Sequence, residues 1–154
     1  MVGVEVVVGM RRLGKCKNQT TLLKKFEKLM KPIILKRDKY ECSIKGFRHE
    51  CSKDLVADHR PSKRKNHSTF LDPRNLTTVC GKANYLAESD PFISHEIVKT
   101  VISREGLSAY EELKINSKQS KKWTHDECQL QVLKCSTHFL KNKNGCPEVG
   151  GNQV

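Results

Sequence analysis

Only two short stretches of this chain read as β-strand, Leu55-Val56-Ala57-Asp58 and Leu76-Thr77-Thr78-Val79, and the second leads into a helical pattern at Asn84. An isolated pair of strands has too little buried surface to be stable in water. The hairpin must therefore be held against helices. The order strand, loop, strand, helix implies an α+β fold: a small ββα core flanked by helices, with the chain mostly helical elsewhere. At 154 residues there is room for one modest domain with tails and not for two sizeable cores. The hydrophobic fraction is 36%, so the core is small and stands to gain from a metal or a partner.

Helical periodicity fills in the surroundings. Residues 21–37 carry Leu22, Leu23, Phe26, Leu29, Met30, Ile33 and Ile34 on one side, interleaved with lysines, and Pro32 predicts a kink or a break. A second helix is expected over about 94–105, burying Ile97, Val98, Val101 and Ile102, with Gly106 as its stop. Ser108 then caps a short helix, with Glu111 at the capping-box position. Residues 118–122 read as a linker or basic tail, and 123–140 as one more short helix. The division is a poorly ordered segment over 1–20, where Met10-Arg11-Arg12 is as natural a start as Met1, a domain over 21–115, and a basic polar tail over 116–154.

Lys and Arg number 29 against 17 Asp and Glu, a net charge of +12. Such an excess favours a polyanion, because each phosphate neutralised releases condensed counterions. Nucleic acid is the expected partner, ahead of a membrane surface or an acidic protein. Residues 2–8 are short, broken by Glu5 and lack a basic start, so no secretory signal is read there, and no apolar run approaches the length of a membrane span. The seven cysteines then belong to a reducing cytoplasm, where thiols bind metal or are buried. Cys128, Cys135, His138 and Cys146 lie at irregular spacing near the C-terminus and make a weak case for a metal site.

Chemistry concentrates in the hairpin. Asp58-His59 ends the first strand, and two carboxamides follow it, Asn75 and Asn84, 16 and 25 residues after His59. A carboxylate, an imidazole and an amide oxygen can hold one divalent cation and activate one water, which is what phosphodiester hydrolysis requires. Singly, each residue has an ordinary reading: Asp58 as a turn cap, Asn75 as a turn residue and Asn84 as a helix N-cap.

In order and spacing, Asp58, His59, Asn75 and Asn84 resemble the ββα-metal, or HNH (His-Me finger), nuclease module. The wider context is similar to the lambdoid-phage NinG (Rap) recombination nucleases. The matching residues are Arg37-Asp38, Cys42, Thr69, Asp72-Pro73-Arg74-Asn75, Cys80-x-x-Ala83-Asn84, Arg104-Glu105-Gly106 and Glu111-Glu112-Leu113, within residues 28–113. The resemblance implies an endonuclease that hydrolyses DNA with Mg²⁺ or another divalent cation. His59 would be the general base, Asp58 and Asn84 the metal ligands, and Asn75 the residue that ties the loop and orients His59. It implies phage recombination, branched DNA as a substrate, the host cytoplasm as the location, and a homodimer if two strands of a junction are cut. Arg60, Lys63, Arg64 and Lys65, with Lys24 and Lys25, would hold the DNA backbone, contacts that position a duplex without reading it.

The chain departs from the family in its knuckles. Such modules brace the ββα unit with zinc on two Cys-x-x-Cys pairs, and here Lys45 and Ala83 replace the second cysteine of each. Cys42 and Cys80 remain, and His49 or Cys51 could complete a structural Zn²⁺ site from the intervening loop. Because loop ligands close a larger ring, the reading favours an empty site with Cys42 and Cys80 as buried apolar residues. Two rivals stay open: a non-catalytic nucleic-acid-binding protein on a degraded HNH fold, and a structural zinc protein acting through protein partners.

Overall fold

The computed structural model describes residues 18–61 and 68–144, with side chains through residue 137. Helix α1 spans Gln19–Arg37 and starts at Asn18, whose side chain accepts from the Thr20 amide. Leu22, Leu23, Phe26, Met30 and Ile34 recur at helical spacing and are buried. The helix runs through Pro32 without the break that the proline predicts. Pro32 and Lys28, whose carbonyl loses its amide donor, both lie on the exposed face, where water can replace the missing bond.

The apolar face of α1 packs along α5, His125–Asn144, which supplies Cys128 and Cys135 to a core shared with Trp123, Phe70 and Leu76. The segment read as a polar tail is thus part of the packed structure, and its helix is longer than expected. Burial of a large apolar side chain is worth about 1.5–3 kcal/mol, so Trp123 and Phe26 alone anchor it strongly. Gln19 reinforces the contact: its amide donates to the Trp123 carbonyl at 2.6 Å and accepts from the Trp123 amide at 2.8 Å.

Strand β1, Leu55–His59, pairs antiparallel with β2, Leu76–Cys80. The register sets Leu55 opposite Cys80 and His59 opposite Leu76, so the hairpin has a cysteine at one end and a histidine at the other. Helix α2, Gly81–Leu86, follows β2 directly and packs on both strands. Its N-cap is Cys80, whose sulfur accepts from the Ala83 amide at 3.3 Å. The helix therefore begins before Asn84, which lies inside it and is not the N-cap. At the turn into α2 the Gly81 amide donates to the Asp54 carbonyl at 3.1 Å, and a Cβ there would have to displace the exposed Asp54 carboxylate.

Helix α3, Pro91–Glu105, starts earlier than periodicity suggested because Asp90 caps it and Pro91 fits the first turn. It buries Ile93, Ile97 and Val101, while Val98 and Ile102 are half-buried. Ile93 and Ile97 join Cys42, Ile44, Val79 and Ala83 in a second core under the cysteine end of the hairpin. Gly106, at φ 90°, ends α3 and is also the N-cap of α4, Leu107–Asn116. Ser108, expected as that cap, lies within the helix, since glycine alone takes the required backbone angle without strain. Among the described residues no helix is long and apolar enough to cross a membrane.

Candidate functional site

At the cysteine end, Cys42, His49, Cys51 and Cys80 converge, with one ligand atom from each lying within 4.8 Å of all the others. This group could hold a metal ion. His49 Nε2 stands 3.3 Å from Cys80 Sγ, 3.4 Å from Cys51 Sγ and 4.0 Å from Cys42 Sγ. Its other nitrogen, Nδ1, lies 2.7 Å from the Phe47 carbonyl. A carbonyl can only accept, so the proton sits on Nδ1 and Nε2 presents its lone pair to the sulfurs, the orienting contact expected of a ligating histidine.

The loop reaches this position through left-handed residues, Gly46 at φ 78° and Arg48 at φ 55°. This turn folds His49 and Cys51 back onto Cys42 and Cys80, so the larger ring that loop ligands must close does not keep them apart. The positions of the missing knuckle cysteines are otherwise occupied: Lys45 faces solvent and Ala83 is fully buried in the core. Burial pushes the Cys42 thiol up to about 11. Burial would raise Cys80 as well, but the Ala83 amide and Ser52 more than offset it, and that thiol lies at about 6.

At the opposite end, Asp58 and His59 are 2% and 6% exposed. His59 Nε2 lies 3.1 Å from the Phe70 carbonyl, and its ring stacks on the Phe70 ring at 4.4 Å between centroids. As with His49, the carbonyl fixes the tautomer. Nε2 carries the hydrogen, and the basic lone pair of neutral His59 is on Nδ1. Fully buried Asn75 closes the intervening loop: its Nδ2 donates to the Thr69 carbonyl at 3.1 Å, and its carbonyl accepts from the Arg60 amide at 2.9 Å. Asn75 thus holds the segment whose next carbonyl holds His59. Asn84 sits half-buried on α2, the helix packed against the strand that carries Asp58.

Arg60 departs from its expected place among surface phosphate contacts. Its side chain is 9% exposed, and Nη1 lies 3.1 and 3.3 Å from the two Asp58 oxygens and donates to the His59 carbonyl at 3.0 Å. Lys63, Arg64, Lys65 and His67 lie outside the described residues. Lys24 is exposed and Lys25 half-buried on α1, and His95 is exposed on α3. Cys128 and Cys135 face the core against α1, with burial raising both thiols to about 11, which disfavours the thiolate that a metal needs. The side chains of His138 and Cys146 lie outside the described residues.

Sequence reasoning missed the supports of the histidine end. Arg37 donates to the Pro73 carbonyl at 2.9 Å and the Leu76 carbonyl at 2.6 Å, while its fork grips Asp38 at 2.7 and 2.9 Å. Asp38 in turn accepts from the Thr78 amide at 2.8 Å. Burial would raise the Asp38 carboxyl, but Arg37, the Thr78 amide and Arg104 together more than reverse it, leaving it below the usual range. Arg104, from α3, donates to the carbonyls of Arg74 and Leu76 at 2.9 and 3.1 Å. Two guanidiniums from two helices thus clamp the start of β2, the residue opposite His59 included. Phe70 carried no sequence signal, because its contribution is a backbone carbonyl and a ring face.

Compared with protein-family models, curated proteins and solved structures, the chain has no match.

Proposed function

We propose that the protein is a metal-dependent endonuclease of the HNH type acting on DNA, with His59 as general base, Asp58 and Asn84 as ligands of the catalytic divalent cation, and Zn²⁺ on Cys42, His49, Cys51 and Cys80. The observation that carries this reading is the setting of His59. It ends a strand beside a buried carboxylate, its Nε2 is engaged by the Phe70 carbonyl, and its chain partner is the strand that runs into the Asn84 helix. With Nδ1 as the base, His59 takes the proton of the attacking water. The Phe70 carbonyl then stabilises the imidazolium through Nε2–H, and the stacked Phe70 ring fixes the plane in which Nδ1 can act.

Asp58 and Asn84 offer hard oxygen donors of the kind that Mg²⁺ and Mn²⁺ prefer. A cation held there would neutralise charge on the scissile phosphate and the leaving oxygen. At the other end, zinc bonds of about 2.3 Å to sulfur and 2.0 Å to nitrogen place tetrahedral donors roughly 3.5–3.8 Å apart. The 3.3–4.0 Å separations around His49 Nε2 fit that figure. Three thiolates and an imidazole are soft enough to favour zinc over magnesium. The net charge of +12 supports a polyanionic substrate, and the sequence resemblance adds branched DNA of phage recombination to the substrates to be compared.

One observation favours a second reading, a DNA-binding protein without catalysis: the Arg60 guanidinium lies against the Asp58 carboxylate. Nicking of supercoiled plasmid in Mg²⁺ or Mn²⁺, with and without EDTA, separates the two. The nuclease reading expects metal-dependent nicking abolished by EDTA. Binding without nicking in either metal would replace it with the second reading.

A further inference from the structure

The two buried arginine–aspartate pairs differ in construction. Arg37 meets Asp38 fork to fork, Nε on one oxygen and Nη2 on the other. Arg60 meets Asp58 through Nη1 alone, which is shared between both oxygens at 3.1 and 3.3 Å and with the His59 carbonyl at 3.0 Å. Arg60 Nε is buried and has no hydrogen-bond partner among the described residues. A guanidinium carries five donors in a rigid fork suited to two parallel bonds with a carboxylate or phosphate. Among the described residues Arg60 bonds through one nitrogen where Arg37 uses its fork. It is buried and only partly satisfied.

Both Asp58 oxygens face the same nitrogen, so a divalent cation approaching either one meets the positive charge of Arg60. We propose that Arg60 is an exchangeable counter-ion of Asp58: it neutralises the buried carboxylate in the metal-free protein, leaves it when a divalent cation binds, and then turns its fork to a phosphate of the DNA. The inference rests on the reading of Asp58 as a metal ligand. It adds that metal binding and phosphate binding are coupled through one side chain. An empty site remains folded because Asp58 stays paired, and the guanidinium is delivered to the substrate only after the cation has arrived.

The test is Mn²⁺ titration calorimetry on wild-type protein, Arg60→Met, Arg60→Lys and Asp58→Asn, with melting temperatures measured in EDTA and in Mn²⁺. Without its competitor, Arg60→Met should bind Mn²⁺ at least about tenfold more tightly than wild type. It should also melt lower in EDTA and regain more on adding Mn²⁺, with Arg60→Lys in between. Arg60→Gln, neutral and hydrogen-bonding, replaces Arg60→Met if that variant does not fold. Equal Mn²⁺ affinity in wild type and the neutral variant would overturn the counter-ion role. Equal affinity in wild type and Asp58→Asn would instead remove the metal-ligand reading beneath it. The phosphate arm uses the His59→Ala background so that DNA stays intact. With Mn²⁺ present, adding Arg60→Met should reduce the slope of log affinity against log salt by about one, and in EDTA it should not change it. A slope unchanged in both conditions would show that the released guanidinium never reaches DNA.

Discussion

The two ends of the hairpin are built from similar residues to opposite effect. Each has an imidazole whose tautomer is set by a backbone carbonyl, Phe47 for half-buried His49 and Phe70 for buried His59. At the cysteine end the lone pair of His49 points into three sulfurs, and the group closes on itself. At the histidine end the ring stacks on Phe70, and the carboxylate of the preceding residue, Asp58, is paired with the Arg60 guanidinium. Closed coordination spends the reactivity of its ligands on holding the chain, whereas a site with a base and an exchangeable counter-ion keeps it for a substrate. On the proposed reading, a short hairpin is braced at one end and reactive at the other, with Arg37 and Arg104 clamping the second.

The strongest way to break this comparison is to open the cysteine end. Cys80→Ser and Cys51→Ser should each remove about one equivalent of zinc and cost more than about 5 kcal/mol, a large share of any domain's stability. Elemental analysis with thermal melts checks this. A silent Cys51→Ser would mean that the cluster is a packing coincidence and not a brace.

Arg37→Met comes next. It strands the Asp38 carboxylate, frees the Pro73 carbonyl and leaves the Leu76 carbonyl to Arg104 alone, at an expected cost of about 3–5 kcal/mol by denaturant unfolding. Zinc content should stay unchanged, because the loss falls at the other end. Asn75→Ala should cost about 1–3 kcal/mol by the same measurement, since the hydrogen bond its Nδ2 donates to the Thr69 carbonyl lies in a buried loop closure. It should slow cleavage as well, through the looser carbonyl on His59.

A further effect is one of pH and sharpens the role of Cys80. Its folded thiol is depressed to about 6 from an ordinary value near 9. A depressed acid stabilises the fold above the unfolded value and loses that contribution as pH falls through the folded one. In chelated protein the melting temperature should therefore fall between pH 9 and pH 6, a slope that Cys80→Ser should lack. Cys42, raised to about 11, titrates above this window.

Much of the hairpin was legible because its signals are local: two short β-prone runs, and Cys80 with Asn84 at the spacing of a strand entering a helix. The docking of α5 was not. Its lysines dominate the composition, while the residues that bury it, Cys128 and Cys135, are two helical turns apart and read as candidate ligands when they act as small apolar side chains. The cysteine site was legible in its residues but not in its closure, which depends on left-handed backbone at Gly46 and Arg48 that no ligand spacing encodes. Arg60 was misplaced because a basic residue beside a basic loop reads as surface, and only the fold shows that Asp58 turns it inward.

The most direct test of the account is the initial rate of plasmid nicking in Mn²⁺ by wild type and His59→Ala, each verified to carry the same zinc content and melting temperature. If His59 is the base of a reactive end that the cysteine end merely supports, the substitution should slow nicking by about 10²–10⁴-fold, with DNA affinity and zinc unchanged. Nicking at the wild-type rate by His59→Ala would contradict the account at its centre.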